Sequence, residues 1–192
     1  MRLFVALDID DHIRQRLAAY IARLDHLVPA VKWVRTESLH VTLKFIGEFP
    51  GPRLDELKRA LATVGGQPFE LTFRNAGFFT PRSPRIFWVG IEAGYELKAL
   101  AVAIDTSVTP LGVKQEVRDF TPHLTLARTG SGRPQGAASD RHKPVMYELK
   151  ARVEALPPPE FGTMTAQEFF LYESKTAAAG AVYTKLQRFA LK

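Results

Sequence analysis

Two short segments, His40-Val41-Thr42-Leu43 and His123-Leu124-Thr125-Leu126, repeat a His-x-Thr-Leu pattern 83 positions apart in a chain of 192 residues. Roughly one shuffled chain in two thousand of this composition would hold two such segments, so chance is set aside as their origin. On an extended strand the His and Thr side chains share one face, about 6.6 Å apart at their Cα atoms, while Val or Leu and the final Leu anchor the other. An imidazole titrates near neutrality and can give or take a proton, and a neighbouring hydroxyl can donate to an anionic oxygen. A single such strand would be read as structural, since Thr is a good β former and a half-buried His commonly satisfies a local bond. Two strands that each commit a His and a Thr to one face leave two polar pairs needing partners, unless the faces meet over a shared, wet cleft. Acid–base chemistry between two histidines is the expected use of that cleft.

The elements that must position these residues alternate in type. Residues 2–8 read as a strand, and Asp10 or Asp11 can cap a helix bearing Ile13, Leu17, Tyr20, Ile21 and Leu24 at helical spacing, which Pro29 ends. Strands are predicted over 31–35 and 38–46, the second holding the first motif. Pro50-Gly51-Pro52 is a turn, followed by a helix near 53–64 that stops at Gly65-Gly66. Strands over 68–79 and 85–92 flank Thr80-Pro81-Arg82-Ser83-Pro84. The second half repeats the rhythm: a helix at 95–108, a strand at 122–128 with the second motif, a helix near 144–154, and strands near 162–174 and 181–190. The expected fold is α+β, with two pseudo-twofold-related lobes of mainly antiparallel sheet flanking a central cleft and helices on the outside. No Pro/Gly-rich linker separates the halves, so residues 1–192 are expected to form a single domain of two intertwined lobes.

Composition bounds the rest. An apolar content of 46% supports a packed core. No run approaches the roughly 18 apolar residues of a membrane span, and the start Met1-Arg2-Leu3-Phe4-Val5-Ala6-Leu7-Asp8 is too short and too soon acidic for a secretory signal, so a cytoplasmic protein with no membrane partner is expected. The absence of cysteine removes disulfides, thiol nucleophiles and thiolate metal sites. A formal charge of +6 suits a polyanionic partner. A polar, Gly/Ser-rich stretch from Arg128-Thr129-Gly130-Ser131-Gly132-Arg133 to Arg141-His142-Lys143 reads as a surface loop whose cations could recruit phosphate. No carboxylate and histidine spacing resembles a metal site, and no Gly-rich phosphate cradle follows a strand, so neither metal nor cofactor is expected.

In their contexts, Leu39-His40-Val41-Thr42-Leu43-Lys44-Phe45-Ile46-Gly47-Glu48 and Phe120-Thr121-Pro122-His123-Leu124-Thr125-Leu126-Ala127-Arg128, the two motifs resemble the paired signatures of the 2H phosphoesterase superfamily. Within it the chain is most similar to the RNA 2′,3′-cyclic phosphodiesterases, also called 2′-5′ RNA ligase-like proteins. Arg2–Leu7, Pro84–Gly90, Leu171–Ser174 and Val182–Leu186 extend the similarity from end to end. The resemblance implies metal-free hydrolysis of an RNA terminal 2′,3′-cyclic phosphate to a 2′-phosphomonoester. His40 would be the proton donor to the leaving 3′-oxygen and His123 the proton acceptor from water; the symmetry of the motifs leaves that order open in the sequence itself. Thr42 and Thr125 would donate to non-bridging phosphate oxygens.

Phe45 and Arg128 stand five residues after each His, and the resemblance implies that Arg128 contacts phosphate and Phe45 stacks on a nucleobase. An odd offset puts both on the wrong face of a regular strand, so a bulge or a strand end must redirect them. The implied partner is an RNA 3′ end, bound by a monomer. Alternatives are a 2′-5′ RNA ligase, a hydrolase of another cyclic nucleotide phosphate such as an ADP-ribose cyclic phosphate, and a non-catalytic binder of RNA ends. His12, His26 and His142 read as solvated, and Trp33 and Trp88 as core or rim aromatics.

Overall fold

The computed structural model describes residues 1–129, 143–177 and 180–192; the segment 130–142, with the expected polar loop and His142, lies outside the described residues. In β1 (Arg2–Leu7), Leu3, Val5 and Leu7 enter the main core, while Phe4 and Ala6 on the opposite face join a separate cluster with Phe170 and Tyr172. Both faces of this strand are covered, which is why it reads as a continuous apolar run. α1 (Asp11–Leu27) buries Ile13, Leu17 and Leu24, the stripe its spacing predicts, with Asp11 in the first turn where the helix dipole favours a carboxylate. The chain continues through β2 (Val41–Glu48), α2 (Leu54–Ala62), β3 (Phe69–Phe79), β4 (Ile86–Ala93), α3 (Tyr95–Val108), β5 (His123–Arg128), α4 (Lys143–Glu154), β6 (Glu160–Ala166), β7 (Glu168–Ala177) and β8 (Gly180–Ala190).

The strands form two four-stranded sheets, β2-β1-β7-β8 and β5-β4-β3-β6, in which every neighbouring pair is antiparallel. α1 leaves β1 of the first sheet but packs against β6 of the second. α3 leaves β4 of the second sheet and packs against β2 of the first. α2 lies beside α3, and α4 beside α1 and β3, so each sheet is covered by a helix that starts from the other. The two halves are related residue by residue. In the first sheet Phe4, Val5, Ala6 and Leu7 face Phe45, Lys44, Thr42 and Val41; in the second Ile86, Phe87, Trp88 and Val89 face Arg128, Ala127, Thr125 and Leu124.

Three elements differ from the sequence expectation. The segment 31–35 is not a strand: it holds one isolated bridge, Trp33 with Ala127. Residues 36–38 form a single 3-10 turn, so the first motif strand begins at Val41 and His40 stands just ahead of it. The apolar stretch over 162–174 divides at Gln167 into β6, paired with β3, and β7, paired with β1 and β8. Phe161, Met164, Ala166, Phe169 and Leu171 on both sides of the break enter one core, so hydrophobic periodicity runs through without marking the change of sheet. Among the described residues no helix is long and apolar enough to cross a membrane.

Candidate active site

The two motif strands, β2 and β5, are edge strands of their sheets and approach one another. Val41, Leu43, Leu124 and Leu126 are buried, while Thr42 and Thr125 are half-buried. Each strand carries a bulge at the third residue after its histidine. Leu43 has no partner between the pairs Ala6 with Thr42 and Val5 with Lys44, and Leu126 has none between Trp88 with Thr125 and Phe87 with Ala127. One extra residue reverses the parity of everything after it. Phe45 and Arg128, at odd offset from their histidines, thereby return to the face of Thr42 and Thr125. Both are exposed there, Phe45 with 67% of its surface accessible.

The histidines are held alike. His40 Nδ1 donates to the Ser38 carbonyl at 2.7 Å and His123 Nδ1 donates to the Thr121 carbonyl at 2.8 Å, in each case two residues back. A carbonyl oxygen only accepts, so each Nδ1 carries the hydrogen and Nε2 is left as the nitrogen that exchanges a proton. The rings lean on aromatic neighbours. His40 lies 4.8 Å from the Phe4 ring and at 87° to Tyr183, while His123 meets Phe79 at 88° and 4.8 Å. Burial pushes the His40 imidazole below the ordinary histidine range, its bond to Ser38 pulls it back up, and the Arg128 guanidinium of the other motif strand pushes it down again. Arg128 therefore acts across the junction between the sheets.

Each motif strand also holds the segment leading into the other motif. Val34, ahead of His40, donates its N–H to the carbonyl of bulged Leu126 at 2.7 Å, beside the Trp33–Ala127 bridge. In return Lys44 of β2, 5% exposed, sends its ammonium to the carbonyl of Lys114, ahead of His123, at 2.6 Å, and to Asp105 Oδ1 of α3 at 2.5 Å. Asp105 in turn accepts the Glu116 N–H at 3.2 Å. Lys44 and Ala127 are equivalent positions, four residues after the two histidines, so the two braces use different chemistry at related places.

Several supporting residues were not singled out in the sequence. The Asp8 carboxylate, just past β1, accepts from the Tyr172 hydroxyl and pairs with Lys185, whose ammonium lies 4.2 Å from the centre of the Phe170 ring. Burial, and after it the bond to Asp8, pushes the Tyr172 phenol upward, so it stays a neutral donor. Arg14 of α1 donates to the carbonyls of Thr36 at 2.5 Å and Ile9 at 3.2 Å, tying down the turn whose Ser38 carbonyl holds His40. On the other sheet Trp88, opposite Thr125, also pairs with Gly77, where a Cβ would come within 2.6 Å of the indole. Tyr172 and Lys185 are 164 and 177 positions from Asp8, and no local pattern announces such a pairing.

Of the remaining sequence candidates, His12 sits in the first turn of α1 with Nε2 3.2 Å from the Thr163 carbonyl, and His26 is in the last turn. Trp33 is a rim aromatic whose indole N–H donates to Asp25 at 2.8 Å and whose ring meets Phe87 edge-on. Among the described residues no group of three or more His, Asp or Glu side chains gathers as a metal site. The structure thus carries Thr42 and Phe45 on one edge strand with His40 just ahead of it, and His123, Thr125 and Arg128 at the matching places on the other. Two imidazoles, two hydroxyls and one guanidinium are the kinds of group that anion binding and proton transfer require.

Comparison with known proteins finds the same duplication. The family described as "LigT like Phosphoesterase" matches the chain twice, over residues 7–88 and 89–183. An RNA 2′,3′-cyclic phosphodiesterase of Archaeoglobus fulgidus is 34% identical over 190 residues, covering 98% of this chain and 99% of that protein. The protein of the same name from Escherichia coli is 32% identical over 197 residues, with 99% and 96% covered. Among solved structures, E. coli LigT complexed with 3′-AMP superposes with a TM-score of 0.77 at 30% identity, covering 99% of this chain and 97% of that one.

Proposed function

The chain belongs to the LigT-like phosphoesterase family, and from that premise we propose that it is a cyclic phosphodiesterase that opens the terminal 2′,3′-cyclic phosphate of RNA to a 2′-phosphomonoester, without a metal ion, using His40 and His123 as acid and base. The observation that carries this reading is the matched anchoring of the two imidazoles, each fixed through Nδ1 to a carbonyl two residues back. Binding alone does not require two titrating groups held in the same tautomer.

In this reading water attacks phosphorus and passes a proton to His123 Nε2 as the new P–O bond forms. The P–O3′ bond breaks on the opposite side and O3′ takes a proton from His40 Nε2, leaving a 3′-hydroxyl and a 2′-phosphate. Solvent then resets the two rings. Thr42, Thr125 and Arg128 donate to the non-bridging oxygens, where charge builds in the transition state, and the exposed Phe45 ring offers a stacking face to a base. Ligation to a 2′,5′ bond would run the same proton transfers in the same direction, with a 5′-hydroxyl in place of water as the nucleophile.

The deciding experiment is incubation of the protein with a short RNA ending in a 2′,3′-cyclic phosphate, in excess chelator, with the position of the product phosphate identified by NMR. A 2′-phosphate is expected. Activity that disappears in chelator removes the metal-free mechanism, a 3′-phosphate product removes the assignment of the leaving oxygen, and tight binding with no turnover leaves a binder of RNA ends.

A further inference from the structure

A recess adjoins His40. It has a volume of about 180 Å³, and its walls include Asp8, Arg35, Glu37 and His40 together with Val182, Tyr183 and Lys185 of β8. At a liquid volume of about 30 Å³ per water it holds on the order of six waters, room for one planar ring or one sugar. None of these walls except His40 has a part in the acid–base chemistry.

We propose that this recess is a subsite for the nucleotide 5′ to the cyclic phosphate end, with the internucleotide phosphate between Arg35 and Lys185 and the base against Tyr183. The proposal rests on the cyclic phosphodiesterase reading of the site, in which His40 protonates O3′. The terminal ribose, bonded to that oxygen, then lies on the His40 side, and the chain that continues from its 5′ carbon must leave over the same lobe.

Two ways out of that lobe differ in charge. A larger recess of about 370 Å³ beyond Asp8 is lined by Asp8, Asp10 and Glu168, which repel a phosphodiester. The smaller recess shares Asp8 and adds Glu37, but it sets Arg35 and Lys185 against these two carboxylates, whereas the larger one has no lysine or arginine in its lining. Arg35 and Lys185 are 47% and 49% exposed in their side chains, the first 3.3 Å from Glu37 and the second paired with Asp8. Exposed ion pairs of this kind are weak, so the Arg35 guanidinium can exchange Glu37 for a phosphate at little cost. Guanidinium and phosphate form charge-assisted, bidentate contacts, and a tyrosine ring supplies a sequence-tolerant stacking face. The cyclic phosphate already has Thr42, Thr125 and Arg128, so two further cations along the exit path correspond to a second phosphate.

The test compares kcat/KM on a nucleoside 2′,3′-cyclic phosphate with that on a dinucleotide ending in the same group, for the wild type, Arg35→Ala and Val182→Asp. Val182 is 40% exposed on β8, so the second variant puts a negative charge into the recess without disturbing the core. The wild type is expected to favour the dinucleotide by about tenfold at low salt, less as salt rises, and both variants to lose that preference while the mononucleotide rate stays within about twofold. Equal rates on the two substrates in the wild type, or variants that slow both substrates alike, overturn the subsite. Binding of a dinucleotide bearing a 2′-phosphate, measured by calorimetry against the matching mononucleotide, reads the subsite even if neither cyclic compound turns over. Loss of turnover with a retained, Arg35-dependent dinucleotide preference would sink the catalytic reading and keep the subsite; the same affinity for both ligands would sink the subsite.

Discussion

Lys44 and Asp105 form a buried ion pair at 2.5 Å behind the first motif strand, with side chains 5% and 14% exposed. The ammonium also holds the Lys114 carbonyl on the approach to His123. Removing one member of a buried pair strands the other charge and costs about 3–5 kcal/mol, whereas replacing both with apolar groups is often near neutral. Lys44→Met is therefore expected to lower the urea-unfolding free energy by about that amount, and Lys44→Met with Asp105→Leu to recover most of it. If the double variant is as unstable as the single one, the pair is not what the site depends on.

Stability should fall on the acid side through His40. Its folded pKa lies below the unfolded value, which is about 6.5. As pH drops below that value the unfolded chain takes up a proton that the folded protein resists, so this contribution is whole above pH ~6.5 and is lost as pH falls toward the folded pKa. His40→Gln abolishes the titration. Unfolding free energies at pH 7.5, 6.5 and 5.5 should decline more steeply for the wild type than for this variant, and parallel curves would contradict the depressed pKa.

The proposed acid must nevertheless be charged when the substrate is bound. A phosphate anion beside His40 offsets both burial and the Arg128 guanidinium, so the imidazole pKa should rise on binding. NMR titration of the His40 ring proton is expected to move to higher pH in saturating inorganic phosphate, and the larger movement should be lost in His123→Ala if the two rings share one anion. No movement on phosphate binding would favour the opposite order, with His40 as base.

Removing either proton carrier should lower kcat by at least about a hundredfold while leaving KM within severalfold. Thr42→Val and Thr125→Val each delete one donor to the developing charge, an effect of about 10² or more in kcat where such a donor acts in the transition state. Steady-state kinetics on a cyclic-phosphate RNA checks both. Thr variants that raise KM alone would place the hydroxyls in ground-state binding.

Arg128→Lys keeps the charge but loses the planar fork. It should retain binding better than Arg128→Ala yet fall well short of the wild type in kcat/KM, and it should leave His40 depressed where Arg128→Ala lets its pKa climb. A Lys variant equal to the wild type would make Arg128 a point charge only.

What the sequence determined by itself is local. The His-x-Thr-Leu pair announced two related strands because alternation and residue type are written within a few positions, and the bounds of α3, Tyr95–Val108, coincide with its apolar stripe for the same reason. The odd offset of Phe45 and Arg128 even required a parity change, but only the partner strands decided that it falls at Leu43 and Leu126, since a bulge is a mismatch between two ladders and not a property of one. The change of sheet at Gln167 was hidden because both of its flanks are buried in one core. Tertiary structure likewise chose the burial that lowers the His40 pKa, the Asp8 contacts with Tyr172 and Lys185, and the reach of Lys44 to Lys114. These depend on which surfaces meet after the helices cross between the sheets, and free energy gained by distant groups in contact has no local signature.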